Sequence, residues 1–496
     1  MKSEKDRFNF WYTVCLTGLL FLVAGYIFAF ILFDFSKNWI HPELPALSYA
    51  KVLRYGHAPS FRDLHLMFDM HSFNFAPRPR VLSHLQEIWN IKFRTVLFDM
   101  VPPHPSFSLN WAWLLVISPL CLFLFLKNTF KNIQTALIGV IIYISSASVL
   151  SGLCMMFRPA KVLVISFSLI AFWLISTMRH ESGPGRDQNA WMPRRFLLLS
   201  VVLLAGFLSD EVFIATYLTI PLLFPENAGL WPFRYKRLLT YGGVFAVFIF
   251  CALVLIPYIA FKSGYAPKFE NILTVMAAAP KDSPYSIAAR IPALDPLKLP
   301  FELQPHTLYQ FTPPGVMAGP APNSAVYYFA AFLLYFCFLI MLSGSKKLFL
   351  LRWLAVTLFG SAATNIVGGG ATYYYASNTI VLISPLIAFL FTAAESRPVK
   401  IINLGAVIII SIFSLRNFER VNAEWIERHT AMYHQYFQTE VAGMTGARIT
   451  KRETLHAWKR RHDKAYLASI RGRFAPIDYS MFYEFERMGM RRAAKP

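Results

Sequence analysis

Residues 68–80 read FDMHSFNFAPRPR, which places Asp69, His71, Arg78 and Arg80 in one short stretch. A carboxylate in such a cluster can take a proton from a hydroxyl, and guanidinium groups can stabilise charge growing on a departing phosphate. Pro77 and Pro79 flank Arg78 and reduce the entropy of presenting both arginines. Asp69 competes with Asp34 and Asp63 for the role of base. Asp34 directly follows an apolar run and could merely mark its end, and Asp63 precedes LHLMF as a helix N-cap would. Asp69 has no comparable capping or helical ion-pair role in the sequence, so it comes first. His65, Asp69 and His71 also offer nitrogen and oxygen ligands, so a divalent metal is admitted as a cofactor, although the spacing does not require one.

Two other polar groups punctuate apolar sequence. Arg158 and Lys161 lie in FRPAK, and Asp210 with Glu211 lies in LSDEVF. Arginine presents a planar fork that fits phosphate oxygens, and a helix end at headgroup depth is where a polyprenyl phosphate would carry its charge. The plainer reading of Arg158 and Lys161 is that they snorkel to lipid headgroups. Asp210 and Glu211 likewise have a structural reading, as caps on a following helix whose N-terminus attracts negative charge.

The elements that must position these residues are apolar. Of 496 residues 56% are hydrophobic and 15% are charged, with repeated apolar runs of about 20 residues, the length a helix needs to cross hydrocarbon. The expected fold is therefore an all-α, polytopic transmembrane bundle. Cys15, Cys121, Cys154, Cys251 and Cys337 fall inside the runs and have neither disulfide-framework nor CxxC spacing. Residues 10–33 are too long for a signal-peptide core and read as a retained first span. The net charge of +21 comes from 48 basic and 27 acidic residues. The bases are spread over short segments at alternate helix ends and a mixed-charge tail, which excludes a polycationic nucleic-acid arm.

Spans are legible at 10–33, 107–126, 133–153, 162–178, 238–261, 325–342, 348–367, 380–394 and 399–415. The stretch 196–224 is ambiguous: FLLLSVVLLAGFL and FIATYLTIPLLF are each short, and Ser209, Asp210 and Glu211 separate them. One long helix would place two carboxylates near mid-membrane, at a cost of a few kcal/mol or more each. Two half-helices that turn put FRYKR, Lys346, Arg397 and Lys400 on the cytoplasmic side and leave Arg158 and Lys161 as the bases of the short outer loops. The second arrangement gives about eleven membrane segments in a plasma (inner) membrane, with the N-terminus cytoplasmic and the C-terminal tail periplasmic or extracellular.

This topology divides the chain into a membrane module, 1–415, with outer loops at 34–106 and 262–324, and a basic tail, 416–496. The second loop is proline-rich and irregular. In the first loop Val81, Leu82, Leu85, Ile88, Trp89 and Val96 recur at helical spacing, with Ser83, His84, Glu87, Asn90 and Arg94 on the other side, as in an interfacial helix. GGGATYYY from Gly368 lacks the Lys-Ser/Thr element of a phosphate loop.

An aspartate-bearing first outer loop, RPRVLSHL within it, the acidic pair in LSDEVF and a long later outer loop together resemble the GT-C superfamily of membrane glycosyltransferases. The resemblance covers about the first two-thirds of the chain and rests on short motifs. It implies transfer of a sugar from a polyprenyl-phosphate donor to a hydroxyl of a glycan, lipid or protein acceptor, with inversion. Asp69 is then the loop base, and Asp210 with Glu211 the second acidic group near donor or acceptor. The first loop lacks the adjacent acidic pair of some members, which leaves the identity of the base open. Two other readings stand beside it. One is a transporter or flippase for an anionic or lipid-linked substrate, using the half-helices around Asp210, and the other is a non-catalytic assembly subunit.

Overall fold

A computed structural model of the chain describes residues 4–33, 80–92, 108–154, 160–181, 192–223, 235–262, 269, 271, 274, 334, 337–341, 347–368, 379–393 and 396–419. The described residues are helical, with no strand among them. In chain order the helices are α1 (Glu4–Ile27), α2 (Val81–Lys92), α3 (Ser118–Phe130), α4 (Ile133–Ser145), α5 (Ala147–Cys154), α6 (Ala160–Glu181) and α7 (Met192–Phe207). They continue with α8 (Phe213–Leu223), α9 (Tyr235–Phe250), α10 (Ile256–Lys262), α11 (Lys347–Gly368), α12 (Ile380–Ala393) and α13 (Arg397–Glu419). Short π-helical stretches extend α1, precede α3 and join α9 to α10.

Five helical stretches among the described residues are long and apolar enough to cross a membrane: Glu4–Leu32, Ala112–Phe130, Ala160–Met178, Tyr241–Ile259 and Arg397–Glu419. The α4–α5 pair makes a sixth if its two halves count as one span. Apolar residues that a water-soluble fold would hide face outward on the outer helices, among them Phe21, Leu22, Leu197, Ile401 and Ile412. Lipid is the solvent that such a surface suits. The centre is made by α4 and α12, whose residues are buried from Gln134 to Ser145 and from Ile380 to Ala393. Between them Thr135 and Thr392 share a hydrogen bond of 2.7 Å, and Ser118–Ser166 (2.9 Å) and Ser168–Thr216 (3.1 Å) tie α3 to α6 and α6 to α8. Small hydroxyls let helices approach closely and satisfy one another where water is absent.

The span read at 133–153 is broken in the structure. The chain bends by 54° between α4 and α5, at Ser146. Ser146 takes an extended backbone and its hydroxyl donates to Tyr143 O while accepting from Val149 N. A serine hydroxyl that offers the backbone an alternative partner ends one helix and starts the next. In 196–224 the two-helix alternative matches the observed break between α7 and α8. A continuous helix would separate residues 207 and 217 by about 15 Å, yet the rings of Phe207 and Tyr217 lie 4.9 Å apart. The chain therefore folds back between them.

Asn132 caps α4 by accepting from Gln134 N. At this end of α4 the buried Lys400 of α13 donates to Asn9 Oδ1 (3.0 Å) and Gln134 Oε1 (3.2 Å) and lies over the Tyr12 ring. Gln134 Nε2 in turn donates to Asn9 O and Thr13 Oγ1, which locks α1, α4 and α13 in register. Arg397 pairs with Glu4 at the exposed start of the same two outer helices.

Candidate functional site

The site is built on the break between α7 and α8. Leaving a helix at Phe207 exposes carbonyls that have no partner along the chain, and the buried side of an apolar bundle supplies no water for them. Here another helix provides the donors: Leu82 N, in the first turn of α2, donates to Leu208 O at 3.0 Å, and the Ser83 hydroxyl donates to Ser209 O. The orphan N–H of one helix start thus meets the orphan C=O of another helix end. The turn is tight because Gly206 carries no side chain. A Cβ there would fall 2.4–2.6 Å from the buried Phe213 ring, so the fold-back requires glycine at this position.

The α2 helix has 12 residues, a length of about 18 Å that cannot cross hydrocarbon. Its docking buries polar side chains. The polar residues Ser83, Gln86 and Asn90 are the buried ones, and Trp89 is exposed. Gln86 Nε2 donates to Asn110 Oδ1 (2.8 Å), Asn110 Nδ2 to Gly152 O (3.1 Å), and Asn90 Oδ1 accepts from Leu109 N (2.8 Å). These polar groups turn toward protein partners, and the Trp89 indole faces outward.

This docking brings Arg80, the residue just before α2, onto the α7–α8 turn. Its Nε donates to Glu211 Oε2 at 2.8 Å and its Nη2 to Glu211 Oε1 at 2.6 Å, a two-point fork, while Nη2 also reaches Asp210 Oδ1 at 3.4 Å. Lys161, on the first turn of α6, donates to Asp210 Oδ2 at 2.9 Å. Asp210 Oδ1 further accepts from Val212 N at 3.0 Å, which closes the turn into α8. The expectation that this acid caps the second half-helix therefore describes part of its role. Two cations and two anions balance. The Lys161 and Asp210 side chains are 3% and 0% exposed, whereas Arg80 and Glu211 are 22% and 21% exposed. The cluster thus has a sealed half and a half at the rim.

Chemically, the rim offers a carboxylate able to accept a proton and a guanidinium able to bind an oxyanion, both held within a rigid frame. Of the residues singled out in sequence, Arg80, Lys161, Asp210 and Glu211 come together. Asp34, Asp69, His71, Arg78 and Arg158 lie outside the described residues. Ser83, Gln86, Asn90 and Asn110 were not singled out as site residues. The recurrence of polar residues at 83, 86 and 90, one helical face, was the available signal. No group of three or more His, Cys, Asp or Glu side chains arranged to hold a metal occurs among the described residues.

No family model matches the chain, and no curated protein matches it. Two solved structures share similarity at low level. One is the crystal structure of the Archaeoglobus fulgidus oligosaccharyltransferase in complex with Zn and sulfate, at 13% identity and a TM-score of 0.41, covering 85% of this chain and 56% of that one. The other is the archaeal oligosaccharyltransferase AglB from Archaeoglobus fulgidus in complex with an inhibitory peptide and a dolichol-phosphate, at 11% identity and a TM-score of 0.43, covering 88% and 60%. The chain spans less than two thirds of the length of either, and a likeness this weak does not establish a shared fold or activity.

Proposed function

We propose that the protein is a membrane glycosyltransferase that moves a sugar from a polyprenyl-phosphate donor to a hydroxyl of a glycan, lipid or protein acceptor at the outer face of the membrane, with inversion. The observation that supports this reading is the meeting of Arg80, Lys161, Asp210 and Glu211. They come from segments up to 131 residues apart and gather where two half-helices turn back inside an apolar bundle. Ionisable groups are expensive in such a setting and are a functional-site hypothesis by default. The donor's prenyl tail stays in lipid while its phosphate meets Arg80. A carboxylate, with Asp69 as first choice and Asp34 as its competitor, takes the acceptor proton as the hydroxyl oxygen attacks the anomeric carbon. The bond from that carbon to the phosphate oxygen breaks, and its electron pair remains on the phosphate, whose charge the guanidinium stabilises. Arg78, Arg158 and His71 are assigned to substrate binding from their place in the sequence. The membrane is a plasma membrane, with the N-terminus cytoplasmic and the 416–496 tail outside.

Sugar transfer from a polyprenyl-phosphate-sugar donor by the purified chain tests the proposal. Asp69→Asn should abolish transfer while leaving thermal unfolding unchanged. Transfer that survives Asp69→Asn would remove Asp69 as base, and absence of transfer from any such donor would remove the reaction. The broken helices α7–α8 and α4–α5 favour one second reading, a transporter of an anionic or lipid-linked substrate, because transporters bind at such interruptions. That reading requires movement of substrate across vesicles with no bond cleaved.

A further inference from the structure

The sealed and rim halves of the cluster differ in what binding could change. Asp210 is tied by Lys161, by Val212 N and by Arg80, and its side chain is fully buried. Glu211 meets Arg80 at the accessible edge, and its two oxygens occupy the Nε and Nη2 donors of the guanidinium in parallel. A phosphate presents two oxygens with the same spacing and charge type, and arginine binds both anions through this one fork geometry. The bonds of Leu82 and Ser83 to the α7–α8 turn fix the backbone beside Arg80, which keeps its guanidinium within reach of the rim. An anion arriving at the rim meets the partly exposed Arg80 there, and the partly exposed Glu211 carboxylate is the like-charged group it can exchange with.

We propose that Glu211 is a displaceable occupant of the Arg80 fork: a phosphate-bearing ligand binds this protein by exchanging with Glu211 on Arg80, while the Lys161–Asp210 pair stays closed beneath it. The chemistry recognised is a phosphate monoester or diester oxyanion, and the inference rests on the reading of this site as one for a lipid-linked phosphate. Glu211 then sets affinity by competition, so the native acid weakens binding of the anion while keeping the guanidinium neutralised between encounters.

The test measures binding to the full chain in lipid nanodiscs, with a long-chain polyprenyl monophosphate, the matching neutral polyprenol and inorganic phosphate as probes. Glu211→Gln removes the competing charge and keeps the shape, so the polyprenyl monophosphate should bind about tenfold tighter, the scale of one lost charge-assisted contact. Arg80→Gln should weaken it by at least about as much. Glu211→Asp keeps the charge but shortens the reach, and its affinity should fall between wild type and Glu211→Gln, which guards against reading misfolding as an effect. The neutral polyprenol should show no dependence on residue 211. A Glu211-dependent gain with inorganic phosphate as well supports the exchange and shows that the lipid tail is not what drives it. Unchanged or weaker binding to Glu211→Gln overturns the exchange, and persistent Asp69-dependent sugar transfer would then show that the enzyme reading stands without it. Exchange observed without any sugar transfer sinks the enzyme reading and leaves the exchange intact.

Discussion

At one end of the α4–α5 pair the buried Lys161 meets Asp210 at 2.9 Å; at the other the buried Lys400 meets the carboxamide oxygens of Asn9 and Gln134 at 3.0 and 3.2 Å. Both ammonium groups have left water, and both are satisfied by oxygen. The difference is that Lys400 is held by neutral dipoles supplied by helices that must pack there anyway, whereas Lys161 faces a carboxylate that itself needs balancing. The first device locks register among three helices. The second draws in a further acid, Glu211, and an arginine from a distant segment. Lys400 is anchored by amide oxygens and the Tyr12 ring with no carboxylate among these contacts, whereas Lys161 meets one of an acidic pair. The α7–α8 turn therefore concentrates charge of both signs where the other end of the α4–α5 pair uses neutral groups.

The contrast is broken most severely at Asp210. Asp210→Ala strands Lys161 in a sealed environment and should lower unfolding stability by about 3–5 kcal/mol, measured by chemical unfolding in detergent micelles. The Lys161→Met/Asp210→Leu double variant should recover most of that loss, since apolar residues of similar volume often replace a buried pair at little cost. A small effect of Asp210→Ala alone would mean that Lys161 does not depend on its partner, and the two ends would no longer differ.

Lys400→Met sharpens the comparison at the other end. Gln134 keeps its bonds to Asn9 O and Thr13 Oγ1 after the ammonium is removed, so the loss should be about 1 kcal/mol, the scale of ordinary hydrogen bonds. A loss matching that of Asp210→Ala in the same unfolding measurement would erase the distinction between dipole-held and acid-held lysines. The smallest effect belongs to Arg397→Gln. The Arg397–Glu4 pair at 2.6 Å is largely exposed, water and salt screen it, and the thermal midpoint should not move.

Much of this arrangement could be read from residue types. Apolar runs located the described membrane helices, and two carboxylates inside an apolar stretch announced the α7–α8 break because lipid would penalise them in a continuous helix. Arg80 was singled out by the prolines before it and Lys161 by its place at a helix end, both as partners for phosphate. What joined them was not legible, since no periodicity reports that residues 80, 161 and 210 share a few ångströms. The bend at Ser146 was missed because serine hydroxyls bond equally well within a straight helix, as Ser145 does to Ile141 O. The two faces of α2 were recognised, with Ser83 and Asn90 on the polar one, but not the partners that these residues meet. Alternation shows that a helix has two faces, and only the neighbours decide which one turns inward.

The pairing of Leu82 and Ser83 with Leu208 and Ser209 also bears on biogenesis. Ribosomes deliver α2 more than a hundred residues ahead of the hairpin it closes. When the later segment leaves the translocon with two bare carbonyls, the donors that match them have already been made, so this energetically awkward turn can be completed during synthesis instead of waiting for the rest of the polypeptide.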